Sequence, residues 1–275
     1  MESIHTTGPG LAPRRWQILS GTGIKTAGVV LMAADHVRQM FIDRGPPDWL
    51  GWMGRPVAAM FLFLCAEGFF YTRSKKRYML RFLGISLFMS AMNRVLSAAM
   101  PMEHIALINN IFGTLFLSSY YMWIIDLIRG GIKERSPAKV LPALLGFILP
   151  FVLSFVMILA MQNGSRNAVL ALFFIPNPLS VEGGLVLTFM GTAFYLLRKR
   201  RLAQTALVLI IGALTWYASR GAAGDVQWLM VFAVVPLLLY NGKRGGGGTA
   251  GKYFFYVFYP AHIYLLYCAA WFLRP

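Results

Sequence analysis

Two histidines and two acids lie inside stretches that are otherwise apolar, and their types admit proton-transfer chemistry. His36 stands in the segment 24–42 between Asp35 and Arg38, ~18 Å of helical rise from its start. His262 stands in Tyr259-Pro260-Ala261-His262, in the last apolar stretch of the chain. Imidazole titrates near neutral pH, which suits it to act as a general base or proton relay. Ionisable groups in membrane helices are rare, face the bundle interior and mark functional sites by default; the plainer role of such a histidine is an interhelical hydrogen bond. Asp35 and Arg38 are three residues apart and share a helical face, which predicts a local ion pair. Glu67, in Phe63-Leu64-Cys65-Ala66-Glu67-Gly68-Phe69, reads either as an ion-pair partner of Arg55 or Arg81, or as a carboxylate that orients a histidine. Pro260 lacks a backbone donor and disturbs the carbonyl one turn earlier, so a broken helix beside His262 suggests a site.

Binding groups accompany these residues. Asn241-Gly242-Lys243-Arg244-Gly245 joins a turn-forming asparagine, permissive glycines and two cations, the ingredients of a phosphate-binding concavity. The Walker pattern is absent, and a basic connecting loop is the alternative. Asn110 and Glu182, at the starts of the fourth and sixth spans, are helix-capping residues first and candidate substrate-binding groups second. Tyr259 belongs to an aromatic series in the last span, expected to pack and to mark the membrane interface.

The elements that must position these residues are membrane helices. Of 275 residues, 57% are hydrophobic and 13% charged, a composition of a polytopic membrane protein rather than a soluble domain. The formal charge of +16 sits in short clusters between apolar runs, which signals topology and argues against nucleic acid. Apolar windows predict an all-α bundle of about nine spans (8–10) near 24–42, 56–72, 80–100, 107–128, 138–161, 183–198, 202–218, 226–241 and 253–273. The short apolar run at 168–175 is interfacial or re-entrant, or a tenth crossing. Basic clusters fall on alternate connections, which puts the N-terminus in the cytosol and the C-terminus outside. Residues 1–20 form a cytosolic tail without signal-peptide character, and 21–275 a single transmembrane domain. The four glycines at 245–248 read as a flexible connection. Cys65 and Cys268 read as small core residues, with no metal-ligand spacing.

In their order, the residues Ile24-Lys25, Asp35-His36, Arg55, Cys65-Ala66-Glu67-Gly68-Phe69, Lys76-Arg77-Tyr78, Glu182-Gly183-Gly184, Asn241-Gly242-Lys243-Arg244-Gly245 and Tyr259-Pro260-Ala261-His262 resemble the TraX family of conjugation-associated membrane proteins. The resemblance runs from about residue 24 to 267. It departs from the family at Ala58-Ala59-Met60, where a Phe-Pro-Ile-like turn is more usual, and at Ser90-Ala91-Met92-Asn93, where an acid is missing. What the resemblance implies is a multi-pass protein of the bacterial inner membrane, connected with acetylation of a pilin N-terminal amine. More distantly, the chain is similar to multispanning acyltransferases that pair an intramembrane histidine with acetyl-CoA. On this reading His36 is the base or transient acyl carrier and Glu67 orients it. Arg55 compensates charge, Lys243 and Arg244 hold the phosphates of acetyl-CoA, and His262 relays protons or holds the thioester end. Acetyl-CoA is the co-substrate, no metal is required, and a pilin amine or extracytoplasmic glycan is the acceptor, in a membrane-lipid setting. A proton-coupled transporter would bury the same polar residues and predict solute flux. A non-catalytic assembly factor for a pilus or other surface appendage would use them as interhelical glue.

Overall fold

The computed structural model describes residues 15–220 and 225–273. Residues 1–14, most of the expected tail, lie outside the described residues, as does the side chain of Lys252. In chain order the helices are α1 (Gly21–Met40), α2 (Trp49–Gly54), α3 (Val57–Tyr71), α4 (Lys75–Ala99), α5 (Ile111–Lys133), α6 (Pro137–Gln162), α7 (Arg166–Phe174), α8 (Gly184–Leu196), α9 (Arg201–Ser219), α10 (Val234–Leu239) and α11 (Gly248–Phe272). Short 3₁₀ stretches at Ile42–Arg44 and Gln227–Ala233 complete the order, and no β-strand occurs among the described residues. The protein is a helical membrane bundle.

Among the described residues six helical stretches are long and apolar enough to cross a bilayer: Trp49–Tyr71, Lys75–Ala99, Ile111–Lys133, Pro137–Gln162, Arg201–Ser219 and Tyr253–Phe272. Two further apolar stretches, Gly184–Leu196 and Gln227–Leu239, are shorter. All nine expected windows hold helix, with shifted bounds. Trp49–Gly54 extends the second span upstream of Pro56, because that proline occupies a helix start, where its missing N–H costs nothing. The eighth is half 3₁₀, which rises ~2.0 Å per residue against ~1.5 Å for α. The run at 168–175 lies largely in α7, whose nine residues rise ~14 Å, too little to cross.

Local chemistry sets several ends. Ser20 caps α1 by accepting from Gly23 N at 3.2 Å, and Ser74 caps α4 by accepting from Arg77 N at 3.4 Å, so both helices start where an orphan N–H finds an oxygen. α1 closes at Phe41, followed by a turn through Gly45 at φ 66°. α6 carries Leu141, Leu145, Ile148, Val152 and Phe155 exposed along its length. A greasy surface of this kind is stable against hydrocarbon rather than water.

By contact density the chain divides into two compact units, one of residues 1–64 and 197–270, the other of 65–196 and 271–275. The first holds α1, α2, α9, α10, most of α11 and the beginning of α3. Its interior includes Ile24, Met40, Leu62, Val208, Leu237 and Ile263. In the second, α5 is the central helix, packed on α4, α6 and α8. Tyr121 of α5 is fully buried and meets Phe147 and Phe189 at ring-centroid separations of 5.1 and 5.2 Å.

The hydroxyl of Tyr121 has no hydrogen-bond partner among the described residues. A buried orphan hydroxyl costs stability, whereas the ring supplies the packing. Thermal melts in detergent should therefore place Tyr121→Phe at or above the parent, and Tyr121→Ala ~3–5 kcal/mol below it.

Candidate active site

The site forms in the first unit, where α1 and α11 bring His36 and His262 together. His36 Nδ1 lies 2.7 Å from His262 Nε2. The rings stack at 4.9 Å and 22°, and the residues are 5% and 9% exposed. His262 Nδ1 is 2.7 Å from the Phe258 carbonyl oxygen, which can only accept, so Nδ1 carries the hydrogen. In the neutral pair His262 Nε2 is then an acceptor, and His36 Nδ1 donates to it. This order leaves the lone pair of the pair's outer end on His36 Nε2, the atom fitted to act as base or nucleophile. Phe258 stacks on His262 at 4.5 Å and Tyr259 meets His36 edge-on at 6.1 Å, so aromatic faces fix both imidazoles.

Next to the histidines lies an ion cluster with partners other than those that spacing predicts. Asp35 pairs with Arg55 at 3.0 Å, and Arg38 pairs with Asp48 at 2.5 Å, rather than Asp35 with Arg38. Arg55 also donates through Nε to Gly51 O at 3.0 Å and through Nη1 to Gln227 Oε1 at 3.2 Å. One guanidinium thus joins α1, the α2–α3 bend and the 3₁₀ stretch, a task for a planar fork of donors.

The cause is the pair of glycines in α2. A Cβ on Gly54 would stand 2.3 Å from the Asp35 carboxyl group, and one on Gly51 would stand 2.8 Å from Arg38 Cδ. Their absence lets α2 close on α1 until long-range partners lie nearer than the local one.

The Asn241–Gly248 loop is a bonded turn rather than a flexible connection. Its carbonyls cap α1: Gly21 N donates to Lys243 O at 2.8 Å and Thr22 N to Arg244 O at 2.9 Å. The Thr22 hydroxyl reaches Arg244 O and Gly246 O at 3.0 and 2.9 Å. Asn241 Oδ1 accepts from Lys243 N at 2.9 Å, and Gly242, Gly245, Gly247 and Gly248 take positive φ. Gly248 already begins α11, earlier than expected. The backbone therefore turns oxygens toward the helix start, and what remains for an anion is the exposed pair of cationic side chains, Lys243 and Arg244.

The other candidates lie in the second unit. Glu67 is half-buried on α3. Asn110 holds the N-cap position of α5 but makes no side-chain cap; its amide donates to Ser86 O, Ser86 Oγ and Ser90 Oγ at 3.0–3.1 Å. Glu182 accepts from Asn110 N at 3.2 Å, a carboxylate at the start of α5 rather than of its own helix. Among the described residues no group of His, Cys, Asp and Glu gathers to hold a metal. Gln227 was not legible as a site residue, because nothing in its spacing marks a partner for Arg55.

A helical membrane protein with a buried, tautomerically ordered histidine pair is the class that this geometry defines. The TraX protein family matches residues 20–270, and the chain belongs to it. Among its relatives is the probable fimbrial assembly protein FimC, serogroup H1, of Dichelobacter nodosus, 27% identical over 281 residues that cover 91% of this chain and 96% of that protein. No solved structure matches the chain.

Gly54→Ala forces the Asp35 carboxylate out of its place and should cost ~1–3 kcal/mol, the range of overpacking. Gly246→Ala, where an added Cβ meets nothing within 4 Å, is the control and should melt with the parent.

Proposed function

We propose that the protein is a membrane-embedded acetyltransferase, moving the acetyl group of acetyl-CoA to an acceptor such as a pilin N-terminal amine or an extracytoplasmic glycan. Its setting is pilus-related, in the bacterial inner membrane with the N-terminus in the cytosol. The observation that carries the reading is the buried His36–His262 pair with its proton order. Membership of the TraX family and a relative named for fimbrial assembly support the setting.

His36 Nε2 accepts the proton of the acceptor N–H or O–H as that atom attacks the thioester carbonyl. The carbon–sulfur bond breaks, and the proton returns to the departing thiolate of CoA. His262 takes part by accepting the hydrogen of His36 Nδ1, so the positive charge spreads over both rings. Asp35 and Arg55, already paired, fix the end of α1 on which His36 stands. Lys243 as a point charge and Arg244 as a fork would receive phosphates. The loop that carries them is bonded to Gly21 and Thr22, and from there to His36 α1 rises ~22 Å. A donor anchored at that loop must hold its acyl group on a long, narrow arm, the form of CoA.

A second reading, a non-catalytic assembly role, draws on the printed name of the Dichelobacter relative. Titration calorimetry of the full chain in detergent separates the two. Acetyl-CoA should give saturable heat, and replacing Lys243 and Arg244 by Ala should weaken binding tenfold or more, at ~1.5–3 kcal/mol per charged hydrogen bond. A folded parent that gives no heat leaves the assembly role standing instead.

His36→Ala should melt earlier than the parent, since it empties a buried place and leaves His262 Nε2 unmatched, yet stay folded and bind acetyl-CoA while lowering transfer to a verified acceptor by ~10²–10⁴-fold, the worth of general base catalysis. Undiminished transfer would remove His36 from the mechanism.

A further inference from the structure

The second unit buries polar groups that the transferase chemistry does not use. Ser86, Ser90 and Asn93 follow one another at four- and three-residue spacing on one face of α4. All three are buried, Asn93 at 7% exposure. That face meets the residues leading into α5. Asn93 Nδ2 donates to Asn109 O at 3.1 Å, and Asn110 Nδ2 donates to Ser86 O, Ser86 Oγ and Ser90 Oγ. Asn109 O and Ser86 O are carbonyl oxygens that only accept, so each amide must turn its nitrogen to a carbonyl and leave its oxygen as the unmatched atom. Those oxygens, Asn93 Oδ1 and Asn110 Oδ1, are buried and have no hydrogen-bond partner among the described residues. Two acceptors in one seam, both stripped of water, require a partner that brings hydrogen or positive charge.

A carboxylate joins them. Glu182 Oε2 accepts from Asn110 N at 3.2 Å, and the Glu182 carbonyl accepts from the Thr114 hydroxyl at 2.6 Å, so the chain at Glu182 is held against the start of α5. Gly113 permits the approach, since a Cβ there would stand 3.1 Å from Val181 Cγ1 and 3.2 Å from Ser86 Oγ. A carboxylate has about four lone-pair sites and can accept again beside the bond it makes. Arg94, the neighbouring cation on α4, is exposed, and consecutive residues of a helix do not share a face. A hard metal ion asks for about six oxygens, whereas the serine oxygens here already accept from Asn110. Water brings two hydrogens and no charge. An ammonium group brings three N–H donors and a positive charge to two orphan oxygens and one carboxylate. We infer that this cluster is a binding site for a primary amine, held as its ammonium by Asn93 Oδ1, Asn110 Oδ1 and the Glu182 carboxylate. Asn93 lies six residues before α4 ends at Ala99, ~9 Å of rise, and Glu182 is exposed, so a soluble amine enters at the end of these spans. Under the transferase reading the occupant is an amine acceptor. The site itself stands without that reading.

The test follows the thermal melt of the full chain in detergent while methylammonium chloride is titrated at constant ionic strength, with tetramethylammonium chloride and sodium chloride run in parallel. Tetramethylammonium carries the charge without N–H donors, and sodium stands for a metal ion. Methylammonium should raise the melting midpoint along a saturating curve, and the other two salts should leave it flat. Glu182→Gln, an exposed change that keeps the shape of the side chain, should raise the half-saturating concentration by about tenfold or more, the scale of one charged hydrogen bond. Asn93→Leu should do the same, and Glu182→Gln decides alone should Asn93→Leu fail to fold. Equal shifts from all three salts, or a larger one from sodium, overturn the site. No shift also overturns it, since water then fills the cluster, and so does a methylammonium curve that the folded variants leave unchanged. His36→Ala and the Lys243/Arg244 variants should keep that curve. Lost acetyl-CoA heat with a retained curve therefore counts against the transferase alone, and the reverse outcome against the amine site alone.

Discussion

The arrangement around the histidines depends on how closely α2 can lie against α1. Two glycines face two charged residues across that seam, and each is where any larger residue would collide with Asp35 or Arg38. The contact is steric in origin but electrostatic in outcome. Once α2 is seated, Arg55 is placed to join Asp35, the Gly51 carbonyl of α2 and Gln227. A lone guanidinium in a low-dielectric interior is costly, whereas one with its donors matched is tolerated. The donors of Arg55 are thus met by protein groups.

The histidine pair follows the same rule with different chemistry. Neutral imidazoles avoid the cost of burying charge, and the Phe258 carbonyl sets the direction of both hydrogen bonds at once. A protein that needed only glue between α1 and α11 could use any donor and acceptor. Two titratable rings in series, each beside an aromatic neighbour, are held in one hydrogen-bonded order.

Much of this was legible in the residues. The apolar windows found the helices because hydrocarbon demands long runs, and His36 and His262 stood out because imidazole is rare at such depth. What spacing could not show was partnership. Asp35 and Arg38 have ideal local spacing yet bond elsewhere, since only the tertiary approach of Gly51 and Gly54 reveals nearer partners. Gln227 carries no mark in the sequence, being an uncharged amide at the start of the apolar window 226–241. The glycines at 245–248 misled in the other direction. Their backbone entropy suggested slack, but the chain spends that freedom on positive φ angles that aim carbonyls at α1.

That glycine turn stitches the origin of the last helix to the origin of the first, and so acts as a common zero mark for two rulers. His36 comes fifteen residues after Gly21, and His262 fourteen after Gly248, so the two imidazoles stand at nearly the same height, ~22 and ~21 Å, above one origin. Chain length therefore sets the common height at which residues more than two hundred positions apart meet. An inserted or deleted residue below either histidine would shift its ring by ~1.5 Å and swing it through ~100°, which makes these two lengths, more than the identity of the intervening apolar residues, the quantity that selection must hold fixed.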